Sequence, residues 1–332
     1  MNAEALIFQQ IVDANFDQAI YTASPNNTIN VVQVAAKGSG TNIGLALTPK
    51  GTGYISAQVP TGTTAGGNAR GEYAVDLQTF PRSAAAEVAS GVASVISGGI
   101  YNRASGSAST VSGGQNNIAS GNQSAVPGGF SNTASGSNAL ASGFGSTASG
   151  NESIAIGRAC GATQTSSFAA GFTCSSTANY AFAFGADSLA HIRCMEAQGG
   201  RLFAAQGDNQ AIALIASGKT TTSAEVELLA DGTRWILRSG TVWSGILQIQ
   251  GVKSDGAAVA DYFRQVTIKR VGNTTSLVGS VVTIGTDEAA GTSISVTADD
   301  TNESLRVAAT GVTSETWRWQ AIFRGGEMAY GT

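Results

Sequence analysis

The chain is short of charge, of aromatic residues and of cysteine, and it holds one histidine. Charged residues make up 12% of the 332 positions and aromatics 7%, so neither ion-pair networks nor large rings can fill most of an interior. Lysine and arginine number 18 against 22 acids, a net charge of −4. Surfaces that track phosphates concentrate cations instead, and nucleic acid is not an expected partner. Three cysteines make no disulfide framework, and synthesis in a reducing cytoplasm is the simpler reading. No apolar run reaches the length of a membrane span, and MNAEALIFQQIVDANFDQ lacks a basic segment ahead of an apolar one. Neither membrane insertion nor a signal peptide is expected. The single histidine, His191, is followed by Ile192, Arg193 and Cys194, a poor setting for a Ser-His-Asp triad. No catalytic residue and no cofactor is nominated, and the chain is expected not to be an enzyme.

Glycine is plentiful, at 43 residues, and much of it recurs in register. From Ala89 the chain reads ASGVASVISGGIYNR, then ASGSASTVSGGQNNI and ASGNQSAVPGGFSNT, each 15 residues long. From Ala134 the step is 14: ASGSNALASGFGST, ASGNESIAIGRACG, ATQTSSFAAGFTCS, STANYAFAFGADSL and a degraded AHIRCMEAQGGRLF. Tandem near-copies of this length predict a solenoid, and period-two alternation within each copy predicts strands. Aligned on their last glycine, the long copies place Val111 and Gly113 where the short ones place Ile154 and Ile156. That alignment predicts Val111, Ile154, Ile156, Phe168, Phe182 and Phe184 as the core of the rungs and of the oligomer, with the extra glycine in the join between strand and turn. One buried Ile or Phe contributes about 1.5–3 kcal/mol, while ordering costs about 1–2 kcal/mol per residue. No rung stands alone, and stacking, including stacking of several chains, must supply the rest.

The ASGxxSxAxG copies resemble the head repeats of YadA-type trimeric adhesins. The resemblance implies a left-handed parallel β-roll and a homotrimer. Further upstream, TNIGLALTPKGTG at residues 41–53 resembles a module near the N-termini of tailed-bacteriophage fibres and spikes. Residues 3–23 carry Leu6, Ile7, Ile11, Phe16 and Ile20, the spacing of a loose amphipathic helix that either docks on a phage tail or baseplate protein or serves as an ordinary cap.

Beyond about Ala204 the strands lengthen, and all four tryptophans occur. Hairpin signals at Asp231-Gly232, Asp255-Gly256 and Gly272-Asn273 separate alternating runs. In TWRWQAIFR, Trp317, Trp319, Ala321 and Phe323 share one face, with Arg318, Gln320 and Arg324 on the other. An antiparallel β-sandwich is expected, and residues 205–325 resemble the C-terminal domains at phage fibre tips.

The sequence thus predicts an all-β chain: an attachment segment at 1–27 with a short helix, a β connector at 28–88, a β-roll at 89–203 and a sandwich tip at 204–332. The resemblances imply a trimeric phage tail fibre, a virion protein made in the host cytoplasm, that adheres to a host surface glycan, lipopolysaccharide or protein. A bacterial trimeric adhesin, the alternative carrier of such repeats, is expected to open with a secretion signal and close with an outer-membrane barrel, whereas this sequence closes with GGEMAYGT. Tyr262, Arg264, Arg318 and Arg324 are the nominated receptor contacts. A second alternative, a polysaccharide-cleaving tailspike, uses paired carboxylates; the acids available in the repeats are Glu152, Asp187 and Glu196, with Glu87 at their boundary. Three smaller features keep two readings each. His191 and Cys194 from several chains either meet a metal on an axis or lie solvated, and no metal is nominated. Cys160 and Cys174, one rung apart, either pair or pack as small apolar residues. Asp299, Asp300, Asn302 and Glu303 form either a calcium loop or a polar hairpin turn.

Overall fold

The computed structural model describes residues 16–21, 31–36, 49–78, 82–200 and 205–330, and every regular element among them is a strand. Two units are distinguished, residues 1–52 and 53–332. In the first, Phe16–Tyr21 pairs antiparallel with Val31–Ala36, Phe16 opposite Ala36. The helix expected over 3–23 is corrected where it can be compared: FDQAIY pairs along its whole length with VVQVAA, which satisfies its backbone as a hairpin-like pair. Residues 3–15 and most of the TNIGLALTPKGTG module lie outside the described residues.

The second unit opens with the solenoid. One parallel ladder runs Ile55–Ser56, Val75–Asp76, Val95–Ile96, Thr110–Val111, Ala125–Val126, Leu140–Phe144, Ile154–Arg158, Phe168–Phe172, Phe182–Ala186 and Glu196–Gly199. A second runs from Arg103–Ala104 through Ile118–Ala119, Thr133–Ala134, Thr147–Ala148, Gly161–Ala162 and Ser175–Ser176 to Leu189–Ala190. The first ladder begins at Ile55, inside the stretch read from sequence as connector. Its early rungs lack the ASG phrase and sit further apart in sequence, Ile55 over Val75 over Val95.

Four columns of buried side chains fill the roll. Ala104, Ala119, Ala134, Ala148, Ala162 and Ala190 form one; Ser94, Ser109, Ser124, Ala139, Ser153, Ser167, Ala181 and Met195 form another. Ile96, Val111 and Val126 begin a third, which continues as Ala141, Ala155, Ala169, Ala183 and Ala197. The fourth is polar: Gln78, Asn102, Asn117, Asn132, Ser146, Cys160, Cys174 and Ser188. Each residue rests on its counterpart one rung away, about 4.8 Å distant, so width is limited to a few atoms. The glycine of ASG is explained by the same packing, because a Cβ on Gly121 would run into the carbonyl oxygen of Gly136 in the next rung.

The polar column explains the change of period. In the long rungs the extra residue is a glycine with positive φ, such as Gly113 at 153°, which widens the join. Asparagine spans the gap: Asn117 Nδ2 donates to Gly113 O at 3.0 Å and to Gly129 O at 2.9 Å, while its Oδ1 accepts from Asn132 N at 3.0 Å. Without the extra glycine the join tightens and a shorter side chain suffices, Ser146 Oγ reaching Gly157 O at 3.0 Å and Cys160 Sγ reaching Gly171 O at 3.2 Å.

The extra glycine therefore sits in the join, but the predicted inward face needs correction. It lies between the strand and the last glycine, so alignment on that glycine slips the strand by one residue and reverses its faces. Val111 is buried, and its counterparts in the short rungs are alanines. Ile154, Ile156, Phe168, Phe182 and Phe184 do not fill the rungs: they stand on the outer face, Ile156 and Phe182 being 42% and 49% exposed.

The first ladder continues without a break into the C-terminal region. Glu196–Gly199 pairs antiparallel with Asn209–Thr220, which pairs with Trp317–Ala329, then Thr241–Lys253, then Val259–Val271. A smaller antiparallel sheet of Ser293–Asp299, Ser304–Thr310, Glu225–Glu227 and Trp235–Ile236 shares its apolar core. Trp243 and Phe323 meet in that core with ring centroids 6.1 Å apart, and Trp317 stacks on Trp319 at 5.8 Å.

Substituting Gly121→Ala forces one rung off the next and is expected to cost about 3 kcal/mol. Gly145→Ala, at a φ of 64° with nothing within 4 Å, should cost only about 1 kcal/mol from the left-handed backbone alone. Urea denaturation of the two variants separates these effects; equal losses would contradict the stacking account.

Candidate functional site

The long C-terminal strands carry clefts of ligand size at both ends. The distal cleft, about 480 Å³, is walled by Gln250, Lys253, Arg318 and Gln320 with Val252 and Trp319 as its apolar part. Arg318 and Gln320 alternate outward from the strand whose inward side carries Trp317, Trp319, Ala321 and Phe323. Lys253 is tied to Glu315 at 2.9 Å, which also accepts from Trp317 Nε1 at 3.0 Å. Polar donors around an indole edge suit hydroxylated ligands.

The nominated contacts divide. Arg318 and Arg324 are exposed, Arg318 in the distal cleft and Arg324 beside Ile246, Phe263 and Ile322 on the outer face of the large sheet. Tyr262 and Arg264 instead point into the covered side, with 2% and 9% exposure. In VADYFRQVTIKRV the alternation puts Phe263 and Gln265 outward. Arg264 is tolerated inside because it grips Asp287 with two bonds of 2.7 and 2.8 Å, and Tyr262 Oη bonds Thr292 Oγ1 at 2.8 Å. The Arg264 hydrogen bonds hold the Asp287 carboxyl below its ordinary range.

The proximal cleft, about 320 Å³, lies where the last rung meets the C-terminal sheets. His191 and Ile192 occupy the Ser and Gly places of the ASG phrase in that rung. Burial lowers the His191 pKa, Glu327 opposing and Arg238 adding to the shift, and neither ring nitrogen has a partner in good hydrogen-bond geometry, the backbone of Leu189 and Ile236 lying nearby. Glu327 is itself buried, held by Arg238 Nε at 2.8 Å and Gln210 Nε2 at 2.8 Å. Arg193 lies over the Tyr180 ring at 4.9 Å from one rung away. Four arginines on one cleft escaped sequence reasoning because Arg193, the Arg234–Arg238 pair and Arg270 come from three separate stretches.

The acids of the repeats stand apart from one another. Glu152 is exposed and accepts from Ser166 Oγ at 3.0 Å; Glu196 stands on the outer face over Phe182, and Asp187 occupies a turn with φ of 57°. Cys160 and Cys174 are free thiols in adjacent rungs, both buried; their mutual hydrogen bond, with burial, pushes the Cys160 thiol up. Among the described residues no group of three or more His, Cys, Asp or Glu is arranged to hold a metal, so His191 and Cys194 of one chain make no such group. Asp299 accepts from the backbone of Thr301 and Asn302, both at 3.1 Å, as a hairpin turn does, and Glu303 pairs with Arg270 at 3.2 Å.

Neither a family model nor a curated protein matches the chain. Among solved structures, it is similar to a tailspike protein, gp49, of Acinetobacter baumannii bacteriophage Fri1, a capsular polysaccharide depolymerase, at 9% identity and a TM-score of 0.26, over 78% of this chain and 46% of that one. The tailspike protein of Acinetobacter phage vB_ApiP_P1 matches at 12% identity and a TM-score of 0.21, over 71% and 51%. That of Acinetobacter baumannii phage AM24 matches at 9% and 0.18, over 82% and 53%. The chain spans about half the length of these proteins. The expectation that the chain is not an enzyme is corrected by this comparison, since the first of these proteins is a depolymerase. Likeness this slight brings neither a substrate nor a catalytic residue to the chain.

His191 gives a test of the cleft's burial. Its folded pKa lies below the ordinary 6.5, so the unfolded chain takes up the proton first. Stability is full above that value and falls as pH drops through it, by up to about 1.4 kcal/mol per pH unit. Urea midpoints measured from pH 8 to 5.5 should decline in the parent and stay level in His191→Gln. The same slope in both would place His191 in water.

Proposed function

We propose that the chain is the receptor-binding protein of a tailed-phage tail, a homotrimer whose C-terminal sheets meet a glycan of the host surface. The observation that carries this reading is the outer face of the first ladder. Leu140, Ile154, Phe168 and Phe182 stack in one outward column, Ile156 and Phe184 in the next, and Phe130, Phe144, Arg158 and Phe172 in a third. Phe130 and Phe144 stack at 5.3 Å, and Arg158 lies over both Phe144 and Phe172 at 5.7 and 5.3 Å. A contiguous apolar surface of this kind marks an association face. Its repetition on every copy lets chains meet through the same surface around an axis.

The resemblance of the ASG repeats to trimeric adhesin heads supports three chains, and the resemblance of TNIGLALTPKGTG to fibre and spike modules supports a phage tail as the carrier. Three identical tips raise apparent affinity through effective concentration, so adhesion does not require a strong single contact. The exposed Arg318 and its distal cleft supply the glycan contact in this reading.

Sedimentation equilibrium should return three times the chain mass of 33.4 kDa. Phe168→Asp with Phe182→Asp should dissociate the particle. Added free, the parent protein should block adsorption of the phage that carries it at least tenfold more effectively than Arg318→Glu. A monomeric parent, or a trimer that leaves adsorption untouched, would sink the proposal.

A further inference from the structure

The cleft at the end of the roll is lined by four arginines. Arg193, Arg234, Arg238 and Arg270 surround it with His191, and its floor is Ile192, Ile236 and Leu237; among the described residues no carboxylate belongs to its walls. Each arginine is anchored from behind by an acid: Arg193 by Asp231, Arg234 by Glu227 at 3.0 Å, Arg238 by Glu327 at 2.8 Å and Arg270 by Glu303 at 3.2 Å. Arg238 is fully engaged, by Glu327, Gln206 O and Gly207 O, whereas Arg234 and Arg270 keep open donors. Arg234 engages Glu227 through Nε and Nη2, and Arg270 uses Nε and Nη1 on Gly272 O, Glu303 and Leu237 O. Arg193 Nε is buried with no hydrogen-bond partner, and the His191 ring nitrogens are buried with no partner in good hydrogen-bond geometry, the backbone of Leu189 and Ile236 lying nearby. Buried donors left open destabilise a fold, and Arg193 Nε together with the single N–H of a neutral His191 at one cavity points to a ligand that accepts from them.

We propose that this cleft binds the carboxylate-bearing sugar unit of an acidic glycan. A planar carboxylate matches the fork of an arginine in two parallel bonds, and the apolar floor fits the C–H face of a sugar ring. The volume of about 320 Å³ holds one monosaccharide. The choice of a sugar rests on the receptor-binding reading; the anion preference rests on the cleft alone.

Calorimetric titration of the full chain with glucuronate, glucose and inorganic phosphate tests the assignment. Glucuronate should bind, at least tenfold more tightly than glucose, and Arg193→Gln and Arg234→Gln should each weaken it at least tenfold while Arg318→Glu leaves it unchanged. The circular dichroism spectrum of each variant must match the parent; if either arginine variant misfolds, displacement of bound glucuronate by rising salt replaces it as the readout, and salt-insensitive binding counts against the proposal. No glucuronate binding, equal binding of glucose, or phosphate bound tenfold more tightly than glucuronate would overturn it. Loss of glucuronate binding with adsorption competition intact removes this inference alone; the converse removes the receptor reading and leaves the anion site standing.

Discussion

Everything in the roll depends on backbone lying on backbone at the spacing of a parallel ladder. At that separation a rung buries what fits beneath its own copy, so the interior is mostly alanine and serine with a thread of asparagine, Ile96, Val111 and Val126 in the early rungs and Met195 in the last, and glycine wherever a carbonyl approaches Cα. In the short rungs, where that inward place is alanine, the bulky apolar side chains stand on the outer face. The exposed aromatic columns thus back a tight interior, and the association face and the core are two sides of the same strands.

The polar thread from Gln78 to Ser188 supplies what small apolar side chains cannot. Gln78 Oε1 accepts from Asn102 N at 2.8 Å, and Asn102 Oδ1 accepts from Asn117 N at 3.0 Å, so each rung's turn is bonded through a side chain to the next. Where the turn tightens, Ser146 and Cys160 make the shorter reach. One inserted glycine per rung and the length of one buried side chain change together, which lets the roll change period without changing its register.

Much of this was legible in the sequence and some of it was not, for identifiable reasons. Tandem ASG copies and period-two alternation pointed to stacked strands, and the faces of Trp317 to Arg324 could be read because apolar and polar residues alternate there, Ile322 being the exception. The inward face of the rungs was misread because the inserted glycine stands between the strand and the glycine used to align it. Tyr262 and Arg264 face inward because their polar ends find partners distant in sequence, Thr292 for the hydroxyl and Asp287 for the guanidinium. Rungs before Val95 carry no repeat phrase, and the arginine cleft gathers residues from both the roll and the C-terminal sheets, so neither leaves a local signal.

The most direct test of this account is a side-chain-resolved density map of the assembled particle. It predicts Ala155, Ala169 and Ala183 inside each rung, with Ile154, Phe168 and Phe182 meeting their counterparts from neighbouring chains. Aromatic side chains found inside the rungs, or outer columns facing solvent in the intact particle, would contradict it.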